Sequence, residues 1–205
     1  MQDRGTREGA VAMALDVESI IMDALLELVE EAPLARVTVK QILERSGVSR
    51  QTFYNHFRDK NDLVCRIYDV RVIGEFDLGQ PTPALGYLPA LTLSLERMHA
   101  FGNFLRQAFA AHDQNNLTEH ALTHTRDFDL AWHQEVWGPA PMPQELRAAT
   151  EYHALAAGYM TIAWILTGFP TPEAELARLL SDMRASGMGP LFARAPSGRN
   201  PYAAP

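Results

Sequence analysis

Apolar residues recur at every third or fourth position through most of the chain, which is the spacing of amphipathic helices. The clearest stretch runs from Val17 to Val29, and it predicts a first helix over residues 14–31 that ends before Pro33. No segment alternates apolar and polar residues as a half-exposed strand would. The pattern therefore predicts an all-α fold.

Capping residues and a glycine divide the next region into short helices. Thr38 and Gln41 have the spacing of a capping box, and Gly47 ends the helix that they begin. Ser49 and Asp59 are good N-caps for the two helices that follow. The two short helices on either side of the glycine have the dimensions of a helix-turn-helix, which places its second helix in the major groove of DNA.

The second of these helices has two different faces. At 100° per residue, Phe53 and Phe57 lie on one face, and Gln51, Thr52 and Asn55 lie on the other. We therefore expect the aromatic face to pack against the protein and the polar face to contact DNA.

The charge distribution agrees with a local nucleic-acid site. The formal net charge is −7, which argues against a surface that binds nucleic acid throughout. Residues 36–66 nevertheless carry seven basic and three acidic side chains, a net of +4, so the rest of the chain carries −11.

A longer motif surrounds the glycine turn. Gly47-Val48-Ser49 is followed by the aromatic string Thr52-Phe53-Tyr54-x-His56-Phe57 and then by Lys60. Through this combination the stretch from Val37 to Lys60 resembles the signature of the TetR family of transcriptional regulators. The resemblance implies an N-terminal three-helix DNA-binding domain and a C-terminal helical domain for ligand binding and dimerisation.

The resemblance also implies roles for single residues. Arg50, Gln51 and Thr52 would begin the recognition helix and face guanine, adenine and the thymine methyl group, and each good bidentate pair discriminates bases by ~1–3 kcal/mol. The other candidate DNA-binding residues are Tyr54, His56 and Lys60, which match phosphate-binding positions, and Thr38. For Asn55 and Lys40 two interpretations remain open: each residue contacts DNA, or it has no contact at all. Alternatively, Tyr54 packs beside Phe57, and Lys60 only solvates the start of a helix.

The proline- and glycine-rich stretch from Asp77 to Pro89 suggests a link between two domains. A long helix is predicted to follow over 90–111. Further helices come after it, and Gly187 is predicted to end the last one. We assign 1–13 to a flexible N-terminal arm, 14–60 to the helix-turn-helix domain, 61–76 to a connecting helix, 77–192 to the C-terminal regulatory and dimerisation domain, and 193–205 to a disordered tail.

Several large apolar residues in the C-terminal half are candidates for the wall of a ligand pocket. They are Met98, Phe101, Phe104, Leu105, Phe128, Trp132 and Tyr159. An aromatic stripe at helical spacing is more often core than pocket wall, so both interpretations remain open at this stage.

The uncharged run from Ala154 to Leu166 is apolar almost all round, and the resemblance implies that the last two helices pair with their copies in a homodimer. Such a dimer would bind a palindromic operator with half-sites ~34 Å apart. We expect a repressor that an unknown small-molecule effector releases from double-stranded DNA. The alternatives are an activator or adaptor on the same fold, or an all-helical metal-dependent enzyme that uses His120 and His124.

Other features favour a non-enzymatic protein of the cytoplasm. The two histidines lack a recognised zinc pattern, and no phosphate loop or nucleophile elbow is present, so we expect no cofactor, no metal and no catalytic residue. The single cysteine, Cys65, suits a reducing compartment. The longest uncharged run holds about 16 residues before Pro170, short of the ~18 of a membrane span, so we expect no membrane partner.

Overall fold

The computed structural model describes residues 3–74, 86–111 and 117–202, with side chains from residue 17 onward. All regular structure in these ranges is helical, which confirms the predicted all-α class. The helices are α1 (Asp3–Glu31), α2 (Val39–Ser46), α3 (Arg50–His56), α4 (Lys60–Ile67), α5 (Tyr87–Ala100), α6 (Gly102–Ala110), α7 (Leu117–Trp137), α8 (Gln144–Leu166) and α9 (Glu173–Phe192). A 3₁₀ turn, Leu34–Arg36, precedes α2, and a π-helical segment, Tyr68–Ile73, continues α4.

Helices α1 to α4 pack around an apolar core. Each helix contributes fully buried side chains, which are Ile21 and Leu25 of α1, Ile42 of α2, Phe53 of α3 and Leu63 of α4. The three- and four-residue spacing of apolar positions turns one face of each helix inward and leaves the polar face outside. These four helices form the N-terminal domain.

The core of the N-terminal domain continues into the C-terminal helices. Helix α6 packs against α1 and against the 3₁₀ turn. Gln107 of α6 accepts a hydrogen bond from the backbone N–H of Leu34 at 2.6 Å, and Asn103 donates to Glu30 at 2.9 Å. Residues of the two halves therefore pack against each other, so a structural change in one half can displace residues of the other.

In the C-terminal half, α7 packs along α8, and α5 packs against α9. The C-terminal ends of α7 and α9 and the N-terminal end of α8 enclose a second apolar cluster. Its buried members are Trp132, Val136, Trp137, Leu146, Met188 and Phe192. This cluster provides the surface against which the C-terminal residues pack.

Residues 193–202 fold back onto this second cluster, which differs from the disordered tail predicted there. The hydroxyl of Tyr202 lies 2.6 Å from Nε2 of His133, and the Tyr202 ring meets Trp132 edge-on at 6.1 Å. Asn200 donates to the backbone carbonyl of Gly189 at 3.0 Å. The apolar ring and a buried hydrogen-bond partner together explain why the segment is ordered.

Three helix boundaries also differ from the prediction. Helix α1 already begins at Asp3, so residues 3–13, assigned to a flexible arm, are helical. The helix expected over 90–111 is two helices, since the backbone of Phe101 leaves the helical region. Helix α9 continues through Gly187, where any Cβ atom would collide with the His153 ring, so this glycine allows close packing of α8 and α9 and does not end the helix. Most of the predicted linker, 75–85, lies outside the described residues.

Candidate DNA-binding site and ligand cavity

Side-chain caps and a glycine fix the turn between α2 and α3. The Thr38 hydroxyl accepts from the Gln41 N–H at 3.3 Å, and the Gln41 side chain accepts from the Thr38 N–H at 2.9 Å, which confirms the predicted capping box. Gly47 ends α2 with φ +70°, a conformation that favours glycine. Ser49 Oγ then accepts from the Thr52 N–H at 3.0 Å and so begins α3.

The two predicted faces of α3 are confirmed by burial. Phe53 and Phe57 are 0% and 3% exposed, and their ring centroids are 5.6 Å apart within the core of the N-terminal domain. Arg50, Gln51 and Asn55 are exposed, whereas Thr52 is half-buried and its hydroxyl lies 2.8 Å from Ser49 Oγ. The aromatic pair therefore fixes the rotation of α3 about its axis and turns the polar residues outward.

Contacts along the helix hold the exposed side chains of α3. The Arg50 guanidinium lies 5.5 Å from the centroid of the Tyr54 ring, an exposed cation–π arrangement, and Tyr54 remains 43% exposed. Gln51 Nε2 donates to Asn55 Oδ1 at 2.9 Å. Among the residues with described side chains, Arg50 forms no ion pair, whereas Arg58 pairs with an aspartate. The positive charge of Arg50 is therefore available to a ligand.

His56 and Lys60 bind groups of the protein itself. Nδ1 of His56 lies 3.6 Å from a carboxylate oxygen of Glu18, and only 18% of the His56 side chain is exposed. The Lys60 ammonium donates to the backbone carbonyls of Leu34 and Val37 at 2.8 and 2.9 Å. In this structure both residues hold the domain together, and their contact with phosphates stays a prediction.

Glu18 is a residue of this site that the sequence analysis missed. It accepts from Arg66 Nη2 of α4 at 2.9 Å and also faces His56 of α3, so one carboxylate ties α1 to two other helices. No local sequence pattern points to it, because its partners are 38 and 48 residues away along the chain.

A cavity of about 840 Å³ lies among α5, α7 and α8 and reaches the π-helical segment after α4. Its volume is that of pockets that bind drug-sized molecules. Most of the lining is apolar, and Tyr68, the first residue after α4, contributes to the wall. A cavity wall thus continues directly into a helix of the N-terminal domain.

Three of the seven residues predicted for a pocket wall line this cavity, namely Met98, Phe128 and Trp132. The other four lie elsewhere. Phe104 and Leu105 are buried in the core shared by the two halves, and Phe101 packs against it. The break at Phe101 separates α5 from α6, and of α6 only Phe109 is among the described residues that line the cavity. Tyr159 is 58% exposed on the outside of α8.

One end of the cavity carries a buried ion pair that the sequence analysis missed. Asp129 of α7 accepts a hydrogen bond from Nη2 of Arg184 of α9, and the two residues are 4% and 2% exposed. Burial opposes the charged guanidinium, but attraction led by Asp129 outweighs it and raises the pKa of Arg184. The Tyr87 ring covers the guanidinium at 4.6 Å and stacks on Trp132. Asp129 and Arg184 are 55 residues apart along the chain, so no local sequence pattern predicts that they pair.

Next to this pair, His133 is buried and neutral. The Thr150 hydroxyl donates to the Leu146 carbonyl at 2.8 Å and therefore accepts from Nδ1 of His133, also at 2.8 Å. Nε2 is then left to accept from the Tyr202 hydroxyl at 2.6 Å. Burial lowers the pKa of His133 to about 3.

The two histidines considered for a metal have different surroundings. His120 Nε2 lies 2.7 Å from Asp69 Oδ1, and this hydrogen bond raises the pKa of His120. His124 lines the cavity instead. Within the described ranges no three His, Cys, Asp or Glu side chains are grouped as metal ligands. None of the helices described there combines the length and the hydropathy that a membrane span requires. Burial raises the pKa of Cys65 to about 11, opposite to the change that a thiol switch needs.

The capped turn, the buried aromatic pair and the exposed polar face of α3 define a helix-turn-helix DNA-binding protein. Residues 21–67 match the family model of the bacterial regulatory proteins of the tetR family. Residues 21–67 are therefore a DNA-binding domain of the TetR type, and this match supports a role in the regulation of transcription.

A solved structure extends the similarity to the C-terminal half. The dihydroxyacetone kinase operon activator DhaS aligns with a TM-score of 0.64 over 84% of this chain and 96% of that chain. The sequence identity is 19%, so this similarity is one of fold. No curated protein matches the sequence closely enough to count as a relative.

Proposed function

We propose that the protein is a homodimer that binds a palindromic operator, represses from it, and releases it when a small molecule occupies the cavity. The observation that carries this proposal is the position of Tyr68. This residue lines the cavity and directly follows α4, whose residues Leu63 and Ile67 are buried in the core of the N-terminal domain. A ligand that moves the cavity wall would therefore move α4.

In this proposal Arg50, Gln51 and Thr52 contact base edges, and Tyr54 contacts a phosphate. The exposed positions of Arg50, Gln51 and Tyr54 support these roles, as does the charge of Arg50, which forms no ion pair with any described side chain. Arginine and glutamine form bidentate hydrogen bonds with guanine and adenine. Thr38, His56 and Lys60 would contribute to backbone contacts only if their polar atoms can bind phosphates as well as their present partners.

The proposed dimer interface is the outer surface of α8 and α9. Six of the ten large apolar side chains that are exposed within the described residues lie there, namely Tyr152, Tyr159, Met160, Leu166, Leu179 and Met183. Exposed apolar patches of this kind mark surfaces that associate. The placement of Tyr159 here also accounts for its absence from the cavity.

Ligand binding would act on DNA binding as a coupling between two sites. A ligand shifts the equilibrium between two arrangements only by its differential affinity for them, typically ~1–3 kcal/mol. The bond between His120 and Asp69 joins α7 to the segment after α4 beside the cavity, so it offers a second contact through which α7 could move α4.

Activation of transcription is the second candidate function. The protein of similar fold is named an operon activator, which shows that this fold is compatible with activation. Whether a bound dimer activates or represses depends on where its operator lies relative to the promoter. A catalytic role has less support, because His120 bonds to Asp69 and no group of metal ligands surrounds it among the described residues.

The test is a selection of bound duplexes from a random DNA library at fixed salt, with the wild type and an Arg50→Ala, Tyr54→Ala variant. We expect the wild type to enrich a palindrome and the variant to lose this enrichment. Arg126→Ala, which removes an arginine from the surface of α7, is the control and should keep it. Enrichment of a single non-palindromic site would contradict the dimer, and no enrichment by a folded wild type would contradict sequence-specific binding.

A further inference from the structure

We propose that Gln107 of α6, supported by Asn103, is a positioning residue that fixes the spacing of the two half-sites that the dimer binds. This inference rests on the proposed homodimer and its palindromic operator, and it adds to them a residue that does not contact DNA. It follows from the hydrogen bonds that join α6 to the turn before α2 and from the packing of α6.

Helix α6 connects the N-terminal domain to the helix that carries much of the proposed dimer surface. It packs on α8 and also on α1 and the 3₁₀ turn. Phe104 and Leu105 of α6 are buried in one core cluster with Leu25 of α1 and Ile165 of α8. In a dimer formed through α8 and α9, the orientation of each recognition helix therefore depends on how α6 is joined to the helices before it.

A side-chain hydrogen bond joins α6 to the backbone of the 3₁₀ turn. The N–H of Leu34 donates to Oε1 of Gln107 at 2.6 Å. Leu34 is the first residue of the turn, so its N–H has no acceptor within the turn itself, and the glutamine supplies one. The Leu34 side chain is buried, which keeps this part of the turn against the core.

A second amide fixes the side chain of Gln107. Nε2 of Gln107 donates to Oδ1 of Asn103, one turn earlier in α6, at 3.1 Å. Nδ2 of Asn103 donates in turn to Glu30 near the end of α1 at 2.9 Å. Gln107 and Asn103 are both half-buried. Because both ends of the Gln107 amide are bound, the oxygen that holds the 3₁₀ turn has a defined position.

The 3₁₀ turn is also joined to the helices that present the recognition helix. The carbonyls of Leu34 and Val37 accept from the ammonium of Lys60, the first residue of α4, at 2.8 and 2.9 Å. Thr38 directly follows Val37 and caps α2. The position of the turn therefore determines where α2 and α4 begin, and α3 lies between these two helices along the chain.

Half-site spacing is sensitive to such a connection. One inserted base pair moves a half-site by about 3.4 Å and rotates it about the DNA axis by about 34°. A dimer whose two DNA-binding domains are held in one orientation binds poorly after such a change. A dimer with loosely held domains adapts to it, because each domain can follow its own half-site.

The test measures affinity for palindromes built from the half-site that the wild type enriches, with the half-sites separated by different numbers of base pairs. At fixed salt, we expect the wild type to prefer one separation about tenfold over those one base pair longer or shorter. Gln107→Met removes the acceptor and keeps the length of the side chain. It should reduce this preference to less than threefold and leave the base preference within each half-site unchanged.

Two further variants test the hydrogen bonds themselves. Gln107→Glu keeps an oxygen that accepts from Leu34, and it should retain the spacing preference of the wild type. Asn103→Ala leaves the acceptor in place but no longer holds it, and it should lower the preference to a value between those of the wild type and Gln107→Met. A folded Gln107→Glu variant that loses the preference as completely as Gln107→Met would overturn this hydrogen bond as the cause.

Gln134→Met is the matched control. Gln134 of α7 also binds a turn through its side-chain amide, which donates to the carbonyls of Gly138 and Ala140 at 2.8 and 2.9 Å, but this turn lies within the C-terminal half. The control should keep the spacing preference, and an equal loss in both methionine variants would overturn the special role of Gln107.

The same measurement separates this inference from the proposed function. One sharply preferred spacing in the wild type and in the folded Gln107→Met and Asn103→Ala variants would overturn this inference alone. Failure of the folded wild type to enrich any palindrome would overturn the proposed homodimer on a palindromic operator together with it.

Discussion

The two halves of the molecule bury different kinds of side chain. Within the described part of the chain, the four buried polar or charged residues all lie in α7 to α9, namely Asp129, His133, Thr150 and Arg184. From residue 17 onward, helices α1 to α4 bury only apolar residues and keep their charges at the surface, as in the pairing of Arg45 with Glu27 and Glu31. The DNA-binding half thus depends on packing and caps, and the other half on a polar network.

This difference matches the two tasks that we propose, DNA binding by the first half and ligand binding by the second. A DNA-reading surface needs a rigid support, which a well-packed apolar core and short-range caps provide. A cavity that distinguishes ligands needs polar groups at fixed positions, and buried polar groups are costly unless they are paired. We therefore expect the polar network to give the largest and most condition-dependent effects on stability.

The largest effect should come from breaking the buried ion pair. Arg184→Met leaves Asp129 as an unpaired charge in the interior, and we expect it to lower the free energy of unfolding by ~3–5 kcal/mol. Urea denaturation followed by circular dichroism measures the loss. Replacement of both partners, by Asp129→Leu with Arg184→Met, should restore most of it, because no charge is then left unpaired. A double variant as unstable as Arg184→Met would contradict this account.

A smaller effect should appear when the pH is lowered. The pKa of His133 falls from 6.5 to about 3 on folding, so the unfolded chain binds a proton that the folded protein does not between these values. The stability that His133 contributes is present above pH 6.5 and is lost as the pH falls toward 3. Between pH 7 and pH 5 this loss is about 2 kcal/mol. His133→Gln should show a correspondingly weaker pH dependence in urea denaturation at pH 5, 6 and 7.

His120 provides a control of opposite sign. Its hydrogen bond to Asp69 raises its pKa, so its contribution is fully present below pH 6.5 and is lost as the pH rises through the folded-state value. His120→Gln should therefore lose more stability than the wild type on acidification, whereas His133→Gln should lose less. If the unfolding free energies of the two variants depended on pH in the same way, neither histidine would affect stability through its protonation.

The smallest effect should come from a local cap in the N-terminal domain. Asp59 accepts from the N–H of Asp62 at 2.9 Å and begins α4. Asp59→Ala removes this bond and should cost ~1 kcal/mol of unfolding free energy, while Asp59→Asn retains a capping oxygen and should cost little. A loss as large as that of Arg184→Met would remove the contrast between the two halves.

The features that could be predicted from sequence are those that depend on neighbours along the chain. The caps at Thr38, Ser49 and Asp59 and the two faces of α3 need only residues within one or two helical turns. The all-α class likewise follows from periodicity. Gly47 was identifiable because a helix end with positive φ has a strong local preference for glycine.

The features that could not be predicted depend on how distant segments meet. Phe104 and Leu105 are candidates for a pocket wall in the sequence, but they lie in the core shared by the two halves, whereas Phe109 of the same helix lines the cavity. Arg184 and Asp129 look like surface residues in the sequence, because nothing near either of them indicates burial opposite the other. The ordered position of Tyr202 depends in the same way on His133, 69 residues earlier.

The single cysteine makes the protein well suited to site-directed labelling. Burial raises the pKa of Cys65 from 9.0 to about 11, so at neutral pH its reactive thiolate is ~100-fold less abundant than that of an exposed cysteine. A cysteine placed at an exposed position of α3 would therefore react with a spin label or dye long before Cys65 does. Pairs of such labels in a dimer would report the separation of the two recognition helices, with and without ligand, in the otherwise native sequence.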